Sequence, residues 1–519
     1  MAVALVDDQR ILWQGTYGFT TLKKDKPVTP RTLFSLQSMS KSFTALGVLM
    51  AVQDGLLDLD RPVSEYLPDF SVHSRFEEHP ERVMTLRHLL AHRAGFTHEA
   101  PLGGNYDSRP QTFAEHILSI SDTWLRYPVG ARTSYSNLGI DLAGWILEKK
   151  SGRPFVDYIR EKVLAPLGMN DSTLDIAAIL KAEDRAVGNR RSRVEVPGGI
   201  PVEVPPLAAG GVYTNILDMA RYLMFHLNAG RSGGTQLLKR DLLEEMVAVQ
   251  FPEKGERFGY GLGIRSTQVG PEIAYGHAGG GYGFNSVMSI YPGLKLGIVA
   301  LSNIEGNPVL GSISSLVPRI VGVRSPGPGP ESEYPEIGTR NPVAASDARL
   351  KGFAGEFTGR VSVGTGKDGA FGITIANQFH PLAFAVDPDG GLVGLFDKDA
   401  ELRMKPPQVP GEPGTLVILK RLAGTCQYYD FVKPEAAMDR PGPDRPEWKS
   451  YLGVYRTLLW GRVPDSTVNI GIAEGYLTKD GVRCREYLPG LFFTPDGEAL
   501  DFRGTVATFA NILLIRTMR

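Results

Sequence analysis

Thr32-Leu-Phe-Ser-Leu-Gln-Ser38-Met-Ser-Lys41-Ser-Phe43-Thr-Ala-Leu-Gly-Val-Leu-Met-Ala-Val52-Gln-Asp-Gly55 is the stretch on which the reading of this chain turns. From Phe43 to Val52 nearly every residue is apolar. The run is too long for one strand and is apolar on all faces, which predicts a helix buried in a protein interior and stopped by Gly55. Ser38 and Lys41 stand three residues apart at its entrance, hence on one helical face. A buried helix has no structural use for an ammonium group there. A serine hydroxyl needs a base to become a nucleophile, and lysine is that base only when burial or nearby positive charge pulls its pKa far below the ordinary ~10.4. The dry N-terminus of a helix supplies both conditions, and its free N–H groups also favour an oxyanion. Ser-x-x-Lys alone is a weak signal, since a chain of this length contains such matches by chance and a polar helix cap reads the same way.

Two further stretches strengthen it. Tyr135-Ser-Asn137 is a turn that delivers a tyrosine and an asparagine two residues apart, ahead of a helix expected from about Ile140 to Lys150. Tyrosine can pass a proton and asparagine can orient a carbonyl, services a serine and lysine pair lacks. Residues 272 to 303 read as three strands, the first ending in His277-Ala-Gly279-Gly280-Gly281. That run lacks the Gly-Lys-Ser/Thr ending of a phosphate cradle, and glycines at the end of an edge strand suit a substrate backbone approaching closely. Helices are expected from Asp218 to Asn228 and from about Val309 to Val321, and residues 2 to 19 read as a hairpin. Thr85 to Gly95 predicts a short helix carrying His88 and His92 at i and i+4, the spacing of a zinc pair. Leu89 stands where a zinc peptidase needs its glutamate, so hydrogen-bonding histidines are the favoured reading and no metal is assigned.

A length of 519 residues predicts two to four domains, and 42% hydrophobic with 22% charged residues describes a globular protein. With 56 basic and 57 acidic residues and no long basic run, nucleic acid and anionic membrane surfaces are not expected partners. Cys426 and Cys484 cannot build a disulfide framework or a zinc site; buried thiols are the expectation, with one bridge left open. No apolar run reaches the roughly 18 residues of a membrane span. Met1 to Val6, followed by Asp7 and Asp8, reads as a strand and not a signal peptide, so a cytoplasmic location is expected, with a secreted or periplasmic processed form left open. Ser325-Pro-Gly-Pro-Gly-Pro330 starts a linker. Beyond it, Lys351-Gly-Phe353-Ala-Gly355-Glu-Phe357 matches Lys449-Ser-Tyr451-Leu-Gly453-Val-Tyr455, a repeat after 98 residues that predicts two small antiparallel barrels.

With Ser38-x-x-Lys41, Tyr135-Ser-Asn137 and His277-Ala-Gly279 in that order, the chain resembles the serine β-lactamase and penicillin-binding-protein superfamily, whose signature begins with Ser-x-x-Lys. It is most similar to the class C-like branch of esterases, D-aminopeptidases and related peptidases, over about residues 2 to 303; Leu86 to Gly95, Pro166-Leu-Gly-Met169 and Tyr291-Pro292 add to the likeness. The resemblance implies an α+β fold, an antiparallel sheet flanked by helices beside an all-helical lobe. It also implies a catalytic domain over 1–324, a linker over 325–346, and lipocalin-like barrels over 347–440 and 441–519. Carried over, Ser38 is the nucleophile, Lys41 its base, Tyr135 the second proton carrier and Asn137 an orienting group. His277 and Gly279 belong to the substrate strand, and the N–H groups of Ser38 and Gly280 form the oxyanion hole. Family members usually begin with a helix before the first strand; here the strand starts at Ala2, so that helix is absent or the sequence is shortened.

The expected activity is cofactor-independent hydrolysis of small ester or peptide substrates, D-amino-acid peptides included, through an acyl-serine. Activity on β-lactams or cell-wall peptides is one alternative and a catalytically inactive binding protein another; a homo-oligomer is left open. His277 stands where β-lactamases and D,D-peptidases carry lysine, and a histidine is largely neutral at pH 7, which favours substrates without a carboxylate and predicts that the ring gains charge below ~6.5. The barrels are expected to shape access to the site rather than perform chemistry, a loop over the cleft being one way to do so.

Overall fold

The apolar stretch after Lys41 forms helix α1, Ser40–Gln53, and every residue from Ser40 to Ala51 is buried. Ser38 precedes it in a 3-10 turn, Gln37–Met39. Phe43, Leu46, Val48 and Leu49 have no exposure at all, and each such side chain contributes roughly 1.5 to 3 kcal/mol by leaving water. The computed structural model describes residues 1–107, 109, 111–190, 208–253, 255–269, 272–313 and 317, and from the remainder 341–343, 349–350, 354–366, 369–375, 377–386, 392–397, 400–405, 414–420, 425–434, 445–459, 463–473 and 475–517.

Around α1 stand α2, Leu86–Leu90, and α3, Asn137–Ser151, with α3 packed on both. The Ser136 hydroxyl caps α3 by accepting from the Gly139 N–H, and Gly152 ends it at φ 66°. The helix expected over 85–95 is shorter than its sequence suggested. It stops at Leu90, and His92 lies beyond it at φ 57°, so His88 and His92 do not share a helical face. His88 instead accepts the Thr85 N–H as part of a capping box.

Helix α4, Ile216–Leu227, starts at Asn215, whose side chain accepts the Leu217 and Asp218 N–H groups. It covers one face of an antiparallel sheet of β1 (Ala2–Asp7), β2 (Ile11–Thr16), β3 (Arg265–Val269), β4 (Glu272–Gly281), β5 (Phe284–Tyr291) and β6 (Leu296–Ser302). The strand order is β2-β1-β6-β5-β4-β3. On the opposite face, Val3, Ala274, Tyr291, Ile298 and Ala300 pack with Leu310 and Ile313 of the helix Pro308–Ile313; the rest of the helix expected to Val321 falls largely outside the described residues. The glycine-rich stretch is placed as expected: β4 ends in His277 to Gly281, and because β3 pairs only with Glu272 to Gly276, those last five residues pair with β5 alone and form a sheet edge.

The described strands of the C-terminal part are all antiparallel. Ten strands from Asn341–Val343 to Thr425–Pro434 form one sheet and nine from Gly453–Leu459 to Ile512–Arg516 another. The end strands of the nine-stranded sheet, Val482–Arg483 and Arg485–Leu488, are separated in sequence only by Cys484, so the sheet curls until its edges nearly meet, a barrel-like closure. Gly355 and Gly453, equivalent in the repeat, begin corresponding strands at φ 153° and 154°. Both cysteines are free. Among the described residues no helix is long and apolar enough to cross a membrane.

His226 on α4 is fully buried among Tyr222, Phe225 and Tyr275, and neither ring nitrogen has a hydrogen-bond partner. Burial pushes its pKa from 6.5 down to about 3. The folded-state value lies below the unfolded one, so the associated stability is intact above pH 6.5 and is lost as pH falls toward 3. His226→Phe should therefore leave thermal stability near wild type at pH 8 and raise it by roughly 2 kcal/mol at pH 5. Melting curves at the two pH values measure this, and an equal effect at both would refute it.

Candidate active site

Lys41 is completely buried, and its Nζ reaches three acceptors: Ser38 Oγ at 3.1 Å, Asn137 Oδ1 at 2.8 Å and the Ala209 carbonyl at 3.0 Å. Burial pulls its pKa down to about 7, against an upward pull from Asp141 and Glu99. Near neutral pH a large share of Lys41 is thus a free amine beside a serine hydroxyl, the state a general base requires. Ala209 is itself fixed, because its N–H donates to Asp141 Oδ1 at 2.8 Å, and Thr44 holds the preceding carbonyl at 2.7 Å.

The Tyr135 phenol hydrogen-bonds Ser38. Its ring lies against His92 at 4.4 Å and His98 at 5.5 Å, with Lys41 Nζ 5.0 Å from its centre. Burial raises the phenol to about 12, so it stays protonated and can give a proton, not take one. His92, expected from the sequence to be a hydrogen-bonding histidine, accepts the Ser136 N–H at 3.2 Å and so fixes the residue between Tyr135 and Asn137. Burial, with Lys41 and His277 nearby, holds it neutral.

β4 lies directly against the nucleophile segment. A Cβ on Gly279 would stand 2.0 Å from the Leu36 carbonyl and 2.5 Å from Ser286 Oγ, which itself donates to Leu36 at 2.6 Å. Gly279 was expected to meet substrate; it lines neither chamber of the cleft and acts by letting β4 pack this close. His277 Nδ1 is 2.6 Å from the Ala278 carbonyl, an acceptor, so Nδ1 carries the proton and Nε2 presents a lone pair. Nε2 is buried without a partner. Burial moves the His277 pKa to about 4, not the ~6.5 of a free imidazole, so the ring is neutral across the range where its sequence position had suggested it would charge.

Ser38 stands between two chambers. The smaller, about 150 Å³, is lined by Asn137, Gly280, Glu99, His116, Asp141 and Tyr282 among others. The larger, about 560 Å³, is lined by Tyr135, Tyr260, Arg265, His277 and Met288 among others. Glu99, His116, Asp141 and Arg265 were not singled out from the sequence. Asp141 did carry a signal, a lone carboxylate inside the apolar run Leu138 to Leu147 one turn after Asn137. Burial works to raise the Glu99 carboxyl, but His98 and Asn105 outweigh it and hold it below the ordinary range.

The C-terminal sheets reach this wall from behind. Buried Glu498 accepts from Thr97 at 2.7 Å and pairs with Arg126 at 2.8 Å, and Asn511 donates to the Glu99 carbonyl at 2.8 Å. From the ten-stranded sheet, Tyr428 donates to Glu253 at 2.7 Å. The contacts at Thr97, Glu99 and Arg126 brace residues 97 to 127, and the one at Glu253 holds the segment before β3.

The family model described as Beta-lactamase matches residues 1–313. The chain belongs to the beta-lactamase family. The wider group is the β-lactamase and penicillin-binding-protein superfamily of serine hydrolases. This beta-lactamase-family chain is 29% identical over 326 residues to the unguisins hydrolase ungD' of Aspergillus campestris (strain IBT 28561), covering 58% of each. It is 25% identical over 313 residues to the D-alanyl-D-alanine-carboxypeptidase/endopeptidase AmpH of Escherichia coli (strain K12), covering 57% of this chain and 77% of that one. The chain spans between 35% and 58% of the length of the first three curated relatives it matches. The octameric penicillin-binding protein homologue from Pyrococcus abyssi shares the fold at a TM-score of 0.55 and 22% identity, over 82% of this chain and 94% of that one.

Because the Leu36 carbonyl occupies the space a side chain at 279 needs, Gly279→Ala should push β4 away from Ser38. A loss of about 100-fold in kcat/KM for a p-nitrophenyl ester is expected, with circular dichroism unchanged. Near-wild-type turnover would show that the strand tolerates the displacement.

Proposed function

We propose that this chain is a serine hydrolase that cleaves ester or peptide amide bonds, D-amino-acid-containing peptides included, through an acyl-serine on Ser38. The observation that carries this reading is a fully buried Lys41 amine, with its pKa lowered to about 7, at 3.1 Å from the Ser38 hydroxyl. The names of two relatives, a hydrolase of unguisins and a D-alanyl-D-alanine carboxypeptidase/endopeptidase, support a peptide substrate class.

In this mechanism Lys41 takes the Ser38 proton as Oγ attacks the substrate carbonyl. The oxyanion that forms is met by the backbone N–H groups of Ser38 and Gly280. Tyr135, held protonated, gives its proton to the departing oxygen or nitrogen, and the Lys41 ammonium returns one to the phenolate. Water then reverses the sequence on the acyl-serine. Tyr135 and His277 line the larger chamber, so the leaving group belongs there and the acyl group in the smaller one. The bare Nε2 of His277 accepts a hydrogen bond, which suits a substrate N–H and not a carboxylate.

One observation favours the second reading, activity on β-lactams or cell-wall peptides. Arg265 lines the same larger chamber, opposite Gly276 in the sheet, and supplies a permanent cation where His277 does not. The Pyrococcus homologue's octamer supports a homo-oligomer as part of the proposal.

Side-by-side assays with p-nitrophenyl butyrate, D- and L-amino acid anilides and nitrocefin separate these readings. A burst of alcohol release and an acyl adduct seen by intact mass are expected in the wild type. Both should vanish in Ser38→Ala, and Lys41→Arg should lose about 10²- to 10⁴-fold, since arginine cannot act as a base. Activity of the wild type should rise with pH through about 7 as Lys41 loses its proton. A wild type without a burst on any substrate would instead indicate a binding protein. Arg265→Ala should lower kcat/KM for nitrocefin about fivefold relative to the ester if the second reading holds.

A further inference from the structure

Behind Lys41 lie two buried charged groups, His116 and Asp141, whose side chains are 2% and 0% exposed. His116 Nδ1 is 2.6 Å from the Leu102 carbonyl, and Nε2 is 3.3 Å from Asp141 Oδ2. A carbonyl oxygen and a carboxylate are both acceptors, so both ring nitrogens carry protons and the ring is an imidazolium. The other carboxylate oxygen, Oδ1, accepts the Ala209 N–H at 2.8 Å, and the Ala209 carbonyl accepts from Lys41 Nζ at 3.0 Å. A single residue, Ala209, thus links the ion pair to the amine.

We propose that the His116–Asp141 pair is a positioning unit that keeps Lys41 a base: Asp141 sets the Ala209 carbonyl against Nζ, and the His116 charge cancels the field by which a bare carboxylate would hold a proton on the amine. The inference rests on Lys41 serving as the base for Ser38.

The groups facing Lys41 are its three acceptors, the Tyr135 ring, the neutral His92 and His277, and two carboxylates, Asp141 and Glu99. Each carboxylate has an imidazole of its own. His98 Nδ1 lies 2.6 Å from Glu99 Oε1, as His116 stands on Asp141. His116 faces Asp141, the Leu102 carbonyl and, at longer range, Glu99, with the Phe113 ring stacked at 6.3 Å. Burial works against its charge, but Asp141, Leu102 and Glu99 together outweigh it and hold the ring above the ordinary histidine value. Both residues also line the smaller chamber, so a bound substrate would lie against the pair.

The sign of the effect follows. Without the His116 charge the Asp141 carboxylate stands uncompensated, Lys41 holds its proton more tightly, and the acid limb of the rate profile moves to higher pH. Without the Asp141 charge one of the two opposing carboxylates is gone and the limb moves to lower pH. A residue that only supports the fold would lower the rate at every pH and leave the limb in place.

The test is kcat/KM for p-nitrophenyl butyrate from pH 5.5 to 10 in the full-length wild type, His116→Gln, Asp141→Asn and the double variant. In His116→Gln the limb should rise by about one unit, an approximately tenfold loss at pH 7 that is largely regained by pH 9. Asp141→Asn keeps an acceptor for Ala209 and should shift the limb downward, and the double variant should undo the His116→Gln shift. Limbs that coincide with wild type in every folded variant would overturn the proposal. Should His116→Gln not fold, the direction taken by Asp141→Asn decides alone. A measurement independent of activity is the ¹⁵N shifts of His116 in the wild type at pH 7.5. Two protonated ring nitrogens are expected, and a neutral ring would overturn the ion pair. Failure of the underlying assignment shows separately, as a Ser38→Ala variant that still turns over.

Discussion

An amine can be a base in this site only if it is dry, and a dry amine is tolerated only if its donors are met. Lys41 satisfies both conditions by drawing acceptors from three places, the 3-10 turn leading into α1, the first residue of α3 and the turn at Ala209. An unmet polar group in such surroundings costs several kcal/mol, so these three segments must converge within about 3 Å for the helix to be buried at all. The packing of α3 on α1, the Ser136 cap and the anchoring of Ala209 by Asp141 all serve that convergence.

Much of this was legible in the sequence, because it lies within single elements. The apolar run after Lys41 fixed the buried helix, and the three-residue spacing put Ser38 and Lys41 side by side. Tyr135 and Asn137 were visible as a turn before a helix. What escaped depends on contacts between distant segments. Nothing local marks Arg265 as facing the cleft, since its neighbours give no strong strand pattern and its position follows from pairing with Gly276. The left-handed backbone at His92 ended a helix that the pattern would have continued. The glycine run was legible as the end of an edge strand, but not the reason for Gly279, which is that the Leu36 carbonyl fills the space of a side chain there.

The two chambers differ in electrical character in a way that residue identities alone do not convey. His277 and His116 are both buried imidazoles, yet one is held well below the ordinary histidine value and the other above it. The difference is the partner. His277 has a single backbone carbonyl and an unmet nitrogen, whereas His116 has acceptors on both sides, one of them a carboxylate. The larger chamber is therefore lined by a neutral ring with one guanidinium, Arg265, while the smaller is walled by two carboxylates, Glu99 and Asp141, each with a histidine nitrogen against it.

The bracing of residues 97 to 127 by Glu498 and Asn511 joins parts of the chain 401 and 412 residues apart in sequence. During synthesis at roughly 5 to 20 residues per second, the helix bearing Ser38 has left the ribosome long before those anchors exist. The wall of the smaller chamber lacks these two braces until residues 498 and 511 have been made. A ribosome-bound chain would carry Ser38 for tens of seconds before that wall could be held from behind.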